Sequence, residues 1–316
     1  MEFVRGLQGL KARHRGAALT IGSFDGIHLG HGALIASTCG IAKQLARPAM
    51  MLTFEPMPRE FLVPQDPPAR LTDFRERMRV LERSDLHAVC VLRFDQSLRS
   101  LSGEEFVALL TDRFAASAVV VGQDFRFGRG GAGSIGLLRA AADAGRFALE
   151  LVPSVCIDDT RVSSSGVRAA LAAGEFAKAR DLLGRAYEMR GRVVYGNQLG
   201  RKLGFPTANI RMRRRKLPLS GIFAVRVRGI DADDAHVAHD AVASLGWRPT
   251  VDGTEPLLEV HVFDWSGSLY GRELDVEFVA KIRDEEKFAD LDALVRRMHV
   301  DASEARRLLA SGHRDT

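Results

Sequence analysis

The chain has 316 residues, 46% hydrophobic and 27% charged, with 45 Lys and Arg against 40 Asp and Glu. That length suits two domains of about 100–200 residues each, and the composition is that of a globular protein able to bury a core in either half. No apolar run approaches the roughly 20 residues of a membrane helix, and MEFVRGLQGLKARHRG lacks the apolar segment of a signal peptide, so a cytoplasmic protein is expected.

The first half alternates strand and helix signals. AALTIG (Ala17–Gly22) reads as a strand, GALIASTCGIAKQLA (Gly32–Ala46) as a helix and AMMLTF (Ala49–Phe54) as a strand. RERMRVLERSDLHAV (Arg75–Val89) reads as a helix that overlaps the strand AVCVLRF (Ala88–Phe94), so one boundary must yield. GEEFVALLTDRFA (Gly103–Ala115) and LLRAAADAGRF (Leu137–Phe147) are helical, with strands SAVVVG (Ser117–Gly122) and ALELVP (Ala148–Pro153) after them. Such alternation predicts a parallel sheet covered by helices on both faces. A helix over Gly166–Gly184 should break near Gly174.

From about Tyr187 the pattern changes. YEMRGRVV, GIFAVRVRGI, AVASLG, LLEVHVF and LDVEFVAKI are strand-like pieces separated by turn residues, which predicts a compact antiparallel barrel. A helix over Asp290–Leu309 closes the chain, and the domain boundary is expected near Arg185. Cys39, Cys90 and Cys156 lie far apart in apolar surroundings. They read as reduced, mostly buried thiols, with neither a disulfide framework nor a CxxC zinc site. The formal charge of +5 suits an anionic ligand. RMRRRK (Arg211–Lys216) reads as a solvated basic loop; no aromatics interleave with it, and no nucleic-acid partner is expected.

Four stretches carry chemistry. In TIGSFDGIHLGHGALI, a strand enters a glycine turn and then a helix near His28. A helix N-terminus at the carboxyl end of a strand suits phosphate. His28 and His31, one turn apart on one face, could donate to a phosphoryl group; a metal pair lacking a third ligand and a plain surface pair stay open. The P-loop pattern GxxxxGK[ST] is absent. In RVSSSGVR (Arg161–Arg168), three serines open a helix between two arginines, as a phosphate clamp or a simple serine cap. In GRVVYGNQLGRKLGFPTANI (Gly191–Ile210), glycines flank Arg201 and Lys202, and Thr207 and Asn209 share one side of an extended chain. That reads as a magnesium and phosphate site or a plain glycine-rich hairpin. Glu259 interrupts an apolar strand; with His261 it faces solvent, or it is buried for a purpose.

Together these stretches resemble one family. GSFDGIHLGH, GQDFRFG (Gly122–Gly128) and RVSSSGVR, within residues 1–185, are similar to the adenylyltransferase half of bacterial bifunctional riboflavin kinase/FMN adenylyltransferases. GRKLGFPTAN, LEVHVFDWSGSLYG and KIRDEEKF, within residues 186–316, resemble the riboflavin kinase half. The resemblance implies a Rossmann-like α/β nucleotidyltransferase domain followed by an antiparallel β-barrel with a C-terminal helix. It implies an ATP- and magnesium-dependent enzyme acting on riboflavin and FMN as a monomer or weak homo-oligomer.

In the first half, ATP would lie on Gly22, Phe24, Asp25, Gly30, Arg161, Ser163, Ser164 and Arg168, with His28 and His31 stabilising transition-state charge. Phe54 and Pro58, in the flap-like TFEPMPREFL, and Asp124 and Phe125 would lie near flavin or nucleotide. In the second half, Gly200, Lys202, Gly204, Pro206, Thr207 and Asn209 would hold ATP, the last two also the metal. Glu259 would be the general base, and Arg283, Glu285 and Phe288 would contact flavin. The chain departs from the family at Ser23 and Ser244, where Asn is usual. A class I aminoacyl-tRNA synthetase also has a histidine turn, but its KMSKS-like lysine loop is missing here.

Overall fold

The computed structural model describes residues 1–196, 200, 203–231, 234–250 and 253–311. They form two compact units, Met1–Pro68 with Arg77–Ser163, and Ala69–Glu76 with Ser164 onward.

In the first unit, β1 (Glu2–Arg5), β2 (Ala18–Ile21), β3 (Ala49–Glu55), β4 (Ala88–Arg93), β5 (Ala118–Gly122) and β6 (Ala148–Val152) form one sheet. Its order is β1-β4-β3-β2-β5-β6, and every pairing is parallel. The central strands β2, β3 and β5 are buried along nearly their whole length because both faces are covered. Helix α1 (Leu29–Gln44) lies against β2, β3 and β5. Short helices α2 (Pro58–Leu62), α3 (Phe74–Leu81) and α4 (Gln96–Ser100) follow β3 and β4. On the opposite face, Phe106 and Val107 of α5 (Gly103–Ala108) and Leu138 and Ala141 of α6 (Ile135–Asp143) join Leu19, Leu52 and Val119 in one core. The strand order reverses between β2 and β5, which opens a crevice at their carboxyl ends.

Some boundaries differ from expectation. The helix expected to reach Val89 stops at Leu81, where the Ser84 hydroxyl donates to the Leu81 carbonyl. His87 then exchanges hydrogen bonds with Ala49 through its N–H (2.9 Å) and its Nδ1 (3.1 Å), so pairing with β3 claims the residues that helical periodicity would take. β1 escaped notice because only Val4 of its four residues is buried. Cys90 is buried, which pushes its thiol up to about 12, but Cys39 is half-buried and Cys156 is exposed on the ribbon β7 (Cys156–Ile157) and β8 (Thr160–Arg161). Three mostly buried thiols were expected; two-residue strands bury too little to cover the third.

In the second unit, α7 (Ser164–Ala173) and α8 (Phe176–Leu183) break at Gly174 as expected. Then β9 (Glu188–Val194), β10 (Ala208–Arg211), β11 (Gly221–Arg228), β12 (His239–Thr250), β13 (Gly253–Val262) and β14 (Glu273–Arg283) close a barrel in the order β10-β13-β12-β11-β14-β9. Phe223, Leu245, Leu258, Val260 and Phe278 alternate inward and are fully buried or nearly so. Phe176 of α8 packs edge-on against Phe223 at 5.9 Å. Helix α9 (Leu291–Ser311) covers part of the outer face, where Ala305 and Leu309 meet Ala224 and Phe263.

The basic run is not wholly solvated. Arg211 is exposed and paired with Glu255, but Arg214 is buried and its Nη2 donates to Glu76. Glu76 also accepts from the Arg190 backbone N–H at 2.7 Å. Burial raises the Glu76 pKa, against the pull of Arg214. One partner supplied from over 130 residues away turns a surface-type motif into a core ion pair. Breaking a buried pair by removing one partner costs about 3–5 kcal/mol. Glu76→Ala should therefore lower the stability of this unit by about that amount, read as urea unfolding by fluorescence of Trp247 and Trp265, the chain's two tryptophans.

Candidate active sites

The first candidate site fills the crevice at the β2/β5 reversal. It is a cavity of about 200 Å³ lined by Gly22, Phe24, His28, Gly30 and His31 from the β2–α1 turn. Asp124 and Phe125 after β5, Arg161 at the end of β8 and Ser163 just beyond it also line it. His28 is the N-cap of α1, and its Nδ1 accepts the His31 backbone N–H at 3.3 Å. In the neutral ring the proton then sits on Nε2, which is the donor atom. The two rings stack at 3.6 Å with 17° between planes, and Phe24 backs His31 at 5.0 Å. Two imidazole edges and a helix N-terminus thus converge on one pocket, which suits a phosphoryl group. No group of three His, Cys, Asp or Glu suited to a metal occurs among the described residues.

Arg161 donates to Asp124 at 2.6 Å, and that bond holds the Asp124 carboxyl below its usual range. Both side chains are more than half exposed, so the pair is weak and free to rearrange around a ligand. Asp25 is buried. Phe54 belongs to the core beside Phe94, and Pro58 opens α2; neither is among the residues lining the cavity. Ser164 and Arg168 belong to α7 in the second unit, where Arg168 donates to the Ala69 carbonyl at 2.6 Å.

At Ser23 the backbone is what the fold holds. The fully buried Arg77 donates to the Ser23 carbonyl at 2.8 Å and to Glu55 at 3.0 Å. Nothing near Ser23 in sequence signals an anchor 54 residues away.

The second candidate site lies on the outer face of the barrel, and register builds it. Asn209 on β10 pairs with Glu259 on β13, Glu259 with Ser244 on β12, Ser244 with Ile222 on β11, and Ile222 with Arg283 on β14. Residues in one row share a face. Glu259 is thus half-buried in the middle of a polar row, with Asn209 (7% exposed) directly beside it. Two cavities meet here. One of about 260 Å³ is lined by Pro206, Thr207, Asn209, Trp265 and Tyr270. The other, of about 360 Å³, is lined by Gly200, Thr207, Glu259, Glu285 and Phe288, with Leu294 and Met298 of α9. Thr207 is common to both.

Asn209 is cradled closely. A Cβ on Gly196 would sit 2.5 Å from its amide nitrogen, so a side chain at that position would displace the Asn209 amide. Thr207 and Asn209 offer neutral oxygens two residues apart, a donor set that fits a hard cation sharing its other positions with phosphate and water. Gly204 stands at φ 83° in the turn before them. Lys202 lies outside the described residues. Arg283 lines the larger cavity, but its guanidinium is held bidentately by Asp301 at 2.6–3.0 Å and lies 5.7 Å from the Phe288 ring.

Three features were missed in the sequence. Tyr195 stacks on Tyr270 at 4.0 Å beside the smaller cavity, two aromatics 75 positions apart with no local pattern. Leu294 and Met298 read only as one face of an amphipathic helix. Arg248 binds Glu259 through two nitrogens, at 2.9 and 3.0 Å; a lone cation beside glycine in SLGWRPT was its only signal.

Comparison with known proteins finds relatives of both halves of the chain. A family model for FAD synthetase matches residues 10–166, and one for riboflavin kinase matches residues 183–309. The chain is 43% identical to a bifunctional riboflavin kinase/FMN adenylyltransferase of Pseudomonas fluorescens, over 99% of this chain and 100% of the relative. It is 39% identical to the protein of that description from Escherichia coli (strain K12), over 97% of each. A crystal structure from Streptococcus pneumoniae, described as a macrolide-efflux protein, is similar with a TM-score of 0.79 at 28% identity, covering 97% of this chain and 99% of that one. No helix among the described residues here is long and apolar enough to cross a membrane.

Replacing Arg77 with Met removes the charged donor that ties Ser23 to Glu55. A hydrogen bond to a charged group contributes about 1.5–3 kcal/mol, so hydrogen exchange over residues 22–28 should quicken by about tenfold or more, with barrel peptides unchanged, as read by mass spectrometry.

Proposed function

The chain belongs to the bifunctional riboflavin kinase/FMN adenylyltransferase family and makes FMN from riboflavin and FAD from FMN, and from that premise we propose how its residues divide the work. Adenylyl transfer falls to residues 1–185 and phosphorylation to residues 186–316, a division supported by the two family-model ranges. Both steps consume ATP.

In the first site, an oxygen of the FMN phosphate attacks the α-phosphorus of ATP, and the bond to the β-phosphate oxygen breaks to release pyrophosphate. Such transfer depends on positioning and charge stabilisation rather than covalent chemistry. His28 and His31 donate to the oxygens that gain charge. Gly22, Phe24, Asp25, Gly30 and Ser163 shape the nucleotide site, and Arg161 neutralises the triphosphate. Asp124 and Phe125 border flavin or nucleotide. The stacked histidine pair at the strand-order reversal carries this reading.

In the second site, Glu259 takes the proton of the ribityl 5′-hydroxyl as that oxygen attacks the γ-phosphorus, and ADP leaves. Thr207 and Asn209 hold the phosphates together with Gly200, Lys202, Gly204 and Pro206, and they are the residues that would hold Mg²⁺. When bound, the cation neutralises phosphate charge. Glu285 and Phe288 border the flavin; Arg283 shapes that wall through Asp301 and the Phe288 ring. The observation that supports this arrangement is Thr207, common to the two cavities, with Glu259 in register beside Asn209. A cytoplasmic monomer or weak homo-oligomer without nucleic-acid partners completes the proposal.

Chromatography of products from riboflavin, ATP and Mg²⁺ tests the division. The parent chain should yield FMN and FAD. His31→Ala should slow FAD formation from FMN by about 10²–10³ and spare FMN formation. Glu259→Gln should slow FMN formation by about 10²–10⁴ and spare adenylation of supplied FMN. Loss of both activities in either folded variant would sink the division.

A further inference from the structure

Beside the kinase row lies a cation, Arg248, that the proposed mechanism does not use. Arg248 approaches Glu259 with Nε at 3.0 Å and Nη2 at 2.9 Å, and both bonds converge on the same oxygen, Oε2. Its Nη1 donates to Glu285 Oε1 at 2.7 Å, its Nη2 also to the Ser244 hydroxyl at 3.0 Å, and its Nη1 to its neighbour's carbonyl at 3.4 Å. The three side chains of this ion-pair triad are each about one-third exposed, so solvent screens it only in part.

The backbone is shaped for the triad. Ser244, Gly246 and Arg248 alternate onto one face of β12. Gly246 has no side chain between them, and a Cβ there would overlap the Glu285 carboxylate. The empty position lets Arg248 reach back toward Ser244 and Glu259 while Glu285 closes over it.

Taking Glu259 as the base, as proposed above, we infer that Arg248 is its positioning residue: it pins Oε2 and leaves Oε1 to receive the hydroxyl proton. Among the described residues, the hydrogen bonds to Glu259 all fall on Oε2. A carboxylate free to turn presents either oxygen in many directions; one gripped by a planar guanidinium presents one oxygen in one direction. Glu285 has a second role. When Glu259 takes the proton it becomes neutral, and Glu285 keeps the Arg248 charge paired through the step. Arg248 itself neither gives nor receives a proton. Lysine cannot substitute, because a single ammonium cannot span Glu259, Glu285 and Ser244 together.

The test uses the full chain and steady-state riboflavin phosphorylation. Arg248→Ala should lower kcat by about 100-fold, the scale set by small misplacements of a reacting group, with KM for riboflavin and for ATP within about threefold. Added guanidinium should recover about fivefold or more of that kcat in Arg248→Ala and nothing in Glu259→Gln. In the Glu259→Gln background, removing Arg248 should cost less than about threefold, because a residue acting through Glu259 has nothing left to position. Adenylation of supplied FMN reports that the chain is folded. If Arg248→Ala does not fold, Arg248→Lys serves, with an expected kcat loss of about tenfold. Parent-level kcat in either variant, a loss that appears in KM, or losses that add in the double variant would overturn the inference. Parent-level kcat in Glu259→Gln would instead overturn the assignment of the base.

Discussion

Closure of the barrel is the constraint on which the kinase site rests. A closed antiparallel sheet has no free edge, so each strand is held in register by a neighbour on both sides. That register aligns Asn209, Glu259, Ser244, Ile222 and Arg283 in one row on the outer face. A slip of one residue in β13 would turn Glu259 into the barrel and replace it with Leu258 or Val260. The inward side chains that forbid the slip, Phe223, Leu245, Leu258, Val260 and Phe278, are therefore as much a part of the site's precision as the polar residues are.

The other unit reaches similar precision by different means. Its parallel sheet leaves ligand-facing turns at the carboxyl ends of strands, and the strand-order reversal separates two of these turns into a crevice. The β2–α1 turn is irregular, with positive φ at Phe24, Gly26 and Ile27, and must be held from outside. Arg77 supplies that hold from beneath by gripping the Ser23 carbonyl. At Ser23 the turn is thus fixed through a backbone carbonyl, which does not depend on the side chain there.

Charge is handled in opposite ways in different places. Arg161 and Asp124 sit in solvent, cheaply separable by an arriving nucleotide. Arg214 and Glu76 are buried, so their pairing is costly to break and serves the fold. The triad of Arg248, Glu259 and Glu285 lies between these extremes, shielded enough to hold geometry and open enough to admit substrate.

Local patterning in the sequence determined the two fold classes, the histidine turn, the GFPTAN segment and the break at Gly174, because periodicity, capping and turn chemistry act over a few residues. It also singled out Glu259 as a charge out of place in an apolar strand. Tertiary structure alone decided the rest. β10, with four residues, draws its stability from partners β9 and β13 rather than from its own composition. The burial of Arg214 inside a run of basic residues depends on Glu76, and Arg77 reaches Ser23 across 54 positions. The pairing of Arg248 with Glu259 and Glu285 exists only because β12, β13 and the segment after β14 meet around Gly246. Such contacts join residues remote in sequence, and nothing in the composition of either partner records the other.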